Sequence, residues 1–99
     1  MEITVTQDDS KVLLSIEGRL DTLTAPELKE VADKLEEQGV MDIELDLADC
    51  EFVSSAGLRV IAQMRKHTAD GGSLVVRNVQ PDVMDVFHLT GFDKILTFE

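Results

Sequence analysis

Two adjacent serines, Ser54 and Ser55, followed by Ala56 and Gly57, stand where an alternating segment gives way to helical spacing. A helix N-terminus presents unpaired N–H groups and the positive end of the helix dipole, so a hydroxyl there can cap the first turn or help hold an anion. Either serine suits either task. Ala56 and Gly57 keep the turn free of bulk at a cost in helix propensity, which leaves room for another molecule to approach the hydroxyls. Leu58 opens the apolar periodicity, and Arg59 stands four residues beyond Ser55, one turn along the same face. A serine at a strand-to-helix turn also suggests a hydrolase nucleophile, but that chemistry needs Gly-x-Ser-x-Gly, and Val53 occupies the first glycine position. A phosphate-cradling Gly-x-x-x-x-Gly-Lys-Ser/Thr is absent, as is a histidine in a context for general-base work, so no catalytic residue is expected. Cys50 has no second cysteine to pair with, and with His67 and His88 it makes no zinc-ligand spacing, so neither metal nor cofactor is expected. Cys50 reads as a small packer after the central strand, and each histidine as a single imidazole with no carboxylate or serine partner at a fixed spacing.

The elements that must position these serines follow from periodicity. Ile3 and Val5 alternate with polar neighbours, and after Gln7-Asp8-Asp9-Ser10 the run Val12, Leu14, Ile16 does the same, which predicts a hairpin whose second strand ends at Gly18. Arg19 to Leu23 form a loop into Thr24-Ala25-Pro26-Glu27, where Thr24 can cap a helix with Glu27 as its capping-box partner. Leu28, Val31, Ala32 and Leu35 share the buried face of that helix, and Gly39 stops it. Asp42 to Leu47 alternates at period two and predicts a strand with one covered side. Helical spacing resumes at Leu58, Ile61, Ala62 and Arg65 until Asp70-Gly71-Gly72 breaks it, and Ser73 to Arg77 is the next strand. A third helix runs from about Pro81 to Leu89, and Lys94 to Phe98 is a terminal extended piece. The order β-β-α-β-α-β-α-β predicts an α/β fold with a small mixed sheet of about four to five strands and helices packed against it.

With 99 residues and no linker or repeat, the chain reads as one domain over residues 1–99. No apolar run approaches the roughly 20 residues that a bilayer span requires, and no export signal is visible, so the expectation is a cytoplasmic protein without membrane insertion. The net charge of -11 is uneven: residues 1–51 hold 15 acids and 4 bases, residues 52–99 hold 5 of each. Such a chain repels phosphate backbones and anionic lipid, which argues against nucleic acid and membrane surfaces and for a protein partner.

Phe52-Val53-Ser54-Ser55-Ala56-Gly57-Leu58-Arg59-Val60-Ile61 resembles the signature of the STAS domain of bacterial anti-sigma factor antagonists. Gly18-Arg19-Leu20-Asp21 onward resembles that family's earlier Gly-x-Leu-Asp motif. Gly71 to Val76 and Val86 to Ile95 supply a third correspondence, so the likeness spans nearly the whole chain. The resemblance implies an anti-sigma factor antagonist that binds an anti-sigma factor/serine-protein kinase when unphosphorylated and is released by phosphorylation. It implies Ser55 as phosphoacceptor, with Ser54 as the alternative because it stands where the family usually has an aspartate. Partner contacts are implied at Asp21, Thr22, Ser54, Ser55, Ala56, Gly57, Leu58 and Arg59, and a PP2C-type phosphatase as the enzyme that resets the switch. A monomer or weak homodimer is expected. The alternative is a constitutive accessory subunit, as in STAS proteins that brace lipid-transport ABC ATPases. There the same helix start docks permanently and carries no phosphate.

Overall fold

The computed structural model describes residues 1–99. Strands β1 (Glu2–Asp8) and β2 (Lys11–Leu20) form an antiparallel hairpin, with Ile3 opposite Ile16 and Val5 opposite Leu14. Helix α1 (Ala25–Glu37) leads to β3 (Asp42–Val53), α2 (Ser55–Thr68) to β4 (Ser73–Arg77), and α3 (Pro81–Thr90) to a single 3-10 turn (Phe92–Lys94) and the short β5 (Thr97–Phe98). The sheet has five strands in the order β1-β2-β3-β4-β5, parallel from β2 onward. Order and class agree with the expectation of a small mixed α/β sheet.

Alternation decides where the core lies. Val12, Leu14 and Ile16 on β2, Ile43, Leu45 and Leu47 on β3, and Leu74 and Val76 on β4 all point to one face. They pack there with Leu28, Ala32 and Leu35 of α1, Leu58, Ile61 and Met64 of α2, and Val83 and Phe87 of α3. The opposite face is polar. Glu44 there meets Lys11 at 2.8 Å and Arg77 at 3.1 Å, and Arg77 also reaches Glu99 at 3.0 Å.

Three boundaries depart from the periodicity reading. Gly18 does not end β2: the strand absorbs two register shifts against β3, between Ser15 and Glu17 and between Gly18 and Arg19, and continues to Leu20. Gly18 has φ +99 in that irregular stretch, a conformation that disfavours side chains. For the same reason β3 runs on past Leu47 to Val53, paired through Glu17–Asp49, Gly18–Cys50 and Leu20–Val53. Cys50 therefore lies inside the strand, fully buried, and burial pushes its thiol up from the ordinary value. At the far end, the extended piece expected over Lys94 to Phe98 shrinks to Thr97–Phe98, and Lys94 belongs to the 3-10 turn Phe92–Lys94, because Gly91 at φ +79 closes α3 and the Lys94 and Ile95 amides donate back to Gly91 and Phe92.

Candidate functional site

The extended β2–β3 pairing brings the two motif segments together. Where both strands end, the Ser54 amide donates to the Leu20 carbonyl at 2.9 Å, so the start of α2 is fastened to the start of the β2–α1 loop. That loop is built around Asp21. Its Oδ1 accepts from the Leu23 amide at 3.0 Å, the Thr24 amide at 3.1 Å and the Thr24 hydroxyl at 3.2 Å, and its Oδ2 lies 3.9 Å from Arg19 Nε. Partial burial pushes the Asp21 carboxyl upward, but these donors and Arg19 outweigh it and hold the carboxyl below its usual range.

The capping box at α1 does not form. The single proton of Thr24 Oγ1 is shared between the Arg19 carbonyl at 2.7 Å and Asp21 Oδ1 at 3.2 Å, and the oxygen accepts from the Asp21 amide at 2.8 Å, so the hydroxyl closes the loop behind it and no side chain caps the helix. Asp21 and Thr24 hold one another in a self-contained turn, a stronger local use of the same residues than the expected pairing with Glu27.

At α2 the two serines part company. Ser54 is the N-cap, extended at φ -91 and ψ 173, and its half-buried side chain accepts from the Gly57 amide at 3.3 Å. Ser55 is the first helical residue and is exposed, its hydroxyl free of hydrogen bonds within the chain. Gly57 and Leu58 are buried. The glycine's role is internal: a Cβ at position 57 would come within 2.6 Å of Leu20 Cγ and 3.1 Å of the Leu20 carbonyl oxygen. Its small size lets α2 lie against the end of β2, which is a different reason from the outward clearance that its place in the sequence suggests. Ala56 and exposed Arg59 face outward, and with Thr22, Ala25 and Val60 they line a groove of about 300 Å³ between the first turns of α1 and α2. The groove's two charged side chains are Lys29 and Arg59; no carboxylate lines it.

Of the residues singled out in the sequence, Asp21, Thr22, Ser54, Ser55, Ala56 and Arg59 thus gather at one end of the molecule, with Gly57 and Leu58 beneath them. Two neighbours escaped the sequence reading. Leu23, at the tip of the Asp21 turn, is 88% exposed. A large apolar residue between two threonines whose turn is closed by other side chains was the signal available. Arg19 lies over the Phe52 ring, 4.2 Å from its centroid, and covers the flank of the site. Elsewhere, His88 does have a carboxylate partner: Nδ1 lies 2.7 Å from Asp93 Oδ2, brought there by the turn after Gly91.

The chain is 30% identical over 97 residues to the anti-sigma-B factor antagonist of Bacillus subtilis (strain 168), covering 97% of this chain and 88% of that one. An anti-sigma factor antagonist from Mycobacterium paratuberculosis superposes with a TM-score of 0.89 at 26% identity, covering 98% of this chain and 83% of that one. The unphosphorylated form of the anti-sigma factor antagonist SpoIIAA shares the fold, with a TM-score of 0.79 at 17% identity over 99% of this chain and 87% of that one. The family described as Mlab, STAS domain matches residues 3–97, nearly the full span over which strands, helices and motifs fall in the expected order, and the chain belongs to that STAS domain family.

Proposed function

We propose that this chain acts as a one-domain anti-sigma factor antagonist: unmodified, it binds an anti-sigma factor that is also a serine kinase, and phosphorylation of Ser55 ends the complex. The observation that carries the reading is the division of labour between the serines. Ser54 is occupied as the cap of α2, whereas Ser55 offers a free, exposed hydroxyl beside the Asp21 turn. The likeness to the anti-sigma-B factor antagonist of Bacillus subtilis supports an anti-sigma factor as the partner.

In the covalent step, Ser55 Oγ attacks the γ-phosphorus of ATP held by the partner. The O–P bond forms as the bond to ADP breaks, and the hydroxyl proton passes to a base of the kinase. This chain is the substrate, and the ATP chemistry belongs to the partner. A phosphate adds about -1.5 to -2 charge at a surface the partner must cover closely, so desolvation and crowding oppose rebinding. A PP2C-type phosphatase restores the hydroxyl by hydrolysis, water supplying the oxygen of the released phosphate. Constitutive docking, the second possibility, needs the same face but gives no role to the unoccupied Ser55 hydroxyl.

The test uses a purified ATPase of the histidine-kinase-like type encoded in the same genome. With ATP it should add one phosphate to the wild-type chain and none to Ser55→Ala, while Ser55→Ala still binds it. Phosphate found on Ser54 instead, or equal binding of phosphorylated and unmodified chains, overturns the reading.

A further inference from the structure

The whole chain carries a net charge of -11, yet the groove between α1 and α2 has only cations among its charged lining. Those two cations differ. Lys29 is held by Asp33 at 3.1 Å, and Gln63, bonded to Asp33 at 2.7 Å and Glu36 at 3.1 Å, ties the helices together below it. Arg59 is exposed and forms no ion pair within the chain, although it lines the groove together with Thr22 and Ala56. It is also one helical turn beyond Ser55, at the i, i+4 spacing that places two side chains side by side.

We propose that Arg59 serves two anions in alternation: an acidic side chain of the anti-sigma partner entering this groove when the chain is unmodified, and the phosphate on Ser55 when it is modified. The inference rests on the reading of Ser55 as phosphoacceptor and assigns the partner's contacting segment its chemistry, a carboxylate flanked by apolar atoms. Charge complementarity supports that occupant, because the groove that Ala25, Ala56 and Val60 line with apolar atoms is also lined by an arginine with no counter-ion within the chain. Guanidinium forms paired, charge-assisted hydrogen bonds to both carboxylate and phosphate, and a phosphate on Ser55 would stand four residues before it on the same helix. Modification then acts twice: it places charge on the contact face, and it withdraws the cation that the partner's carboxylate needs.

Two measurements test this. First, phosphoserine is introduced genetically at position 55, and the second ionisation of its phosphate is followed by phosphorus NMR with no partner present. In Arg59→Ala that ionisation should move upward by about half a pH unit or more relative to wild type, and Arg59→Lys should restore part of the shift. Second, unmodified Arg59→Ala and Arg59→Glu should bind the kinase at least about tenfold more weakly than wild type. Lys66→Glu, the same charge change as Arg59→Glu made in the last turn of α2, should bind as wild type does. An unmoved phosphate ionisation shows that no clasp forms and overturns the proposal. So does a moved ionisation with undiminished binding by the Arg59 variants, or equal weakening by Lys66→Glu. If the wild-type chain fails to bind the kinase, the functional reading itself falls and takes the proposal with it; the partner-free NMR result separates that failure from the others.

Discussion

Ser54 and Ser55 are adjacent and chemically identical, and the backbone gives them opposite duties. Ser54→Ala removes the acceptor for the Gly57 amide and should destabilise the chain by about 1 kcal/mol in urea unfolding, as N-cap losses do. Ser55→Ala removes an exposed hydroxyl with no partner and should stay within about 0.5 kcal/mol of wild type. A larger loss for Ser55→Ala than for Ser54→Ala would assign the cap to the wrong serine. Gly57 makes a second contrast with its sequence reading. Alanine is the better helix former by about 1 kcal/mol, but its Cβ would drive into the fully buried Leu20 side chain and approach the Leu20 carbonyl at 3.1 Å. Overpacking of this kind costs roughly 1–3 kcal/mol, so Gly57→Ala should be destabilising on balance. Combined with Leu20→Ala, its cost should shrink, and a double-mutant cycle in chemical denaturation measures that coupling. The turn between α2 and β4 is tighter still: a Cβ on Gly72 would clash with the Met41 carbonyl oxygen, which is backbone and has little freedom to yield.

At the scale of elements, the loop between β2 and α1 is organised by one carboxylate, and its pH response follows from that. Asp21 titrates below its usual value in the folded chain because the Thr24 and Leu23 amides, the Thr24 hydroxyl and Arg19 outweigh the cost of partial burial. A carboxyl lowered by folding contributes stability that is present above its unfolded value, about pH 4, and is lost as pH falls through the folded value. The acid limb of the wild-type stability curve should therefore be steeper than that of Asp21→Asn, as thermal melts in steps below about pH 5 would show. Equal limbs would mean that Asp21 is not held by these donors. The same loop marks how far the sequence was legible. Alternation located the strand cores and the 3.6-residue repeat located α1 and α2, because each rests on which side chains must be buried together. The extra length of β2 and β3 was hidden. It comes from two register shifts between strands far apart in the chain, and no local pattern around Gly18 or Asp49 encodes a pairing partner. Thr24 failed for a related reason: a threonine before a helix with Glu three residues later fits a capping box, and only the strand end at Arg19 supplies the competing carbonyl. The site residues could be picked out as motifs, yet which of them face outward depends on how closely α2 approaches Leu20.

For the whole molecule, the sheet has one face committed to the core and the other covered by ion pairs centred on Glu44, while the proposed contact end lies where β2 and β3 stop and α1 and α2 begin. A switch placed there can change what the surface offers without disturbing what holds the layers together. Ser55 is exposed at the first position of α2, and added negative charge at a helix N-terminus is favourable by about 0.3–1 kcal/mol. The general excess of negative charge works against this, since a further roughly -1.5 to -2 is added to a chain already at -11, and salt screens that repulsion between charges farther apart than a Debye length of about 10 Å at 0.1 M. Local and global terms therefore oppose each other, and ionic strength separates them. At about 0.15 M salt the phosphorylated chain should melt within a few degrees of the unmodified one and keep the same far-UV circular dichroism. As salt is lowered toward about 0.01 M, where the Debye length reaches about 30 Å, both forms should lose stability and the phosphorylated form should lose more. Partner affinity should nonetheless differ between the two forms at every salt concentration, because a close contact that must desolvate the phosphate does not depend on long-range repulsion. A phosphorylated chain that lost helix signal at about 0.15 M salt would move the switch from the surface into the fold, and release of the partner would then be a consequence of unfolding α2.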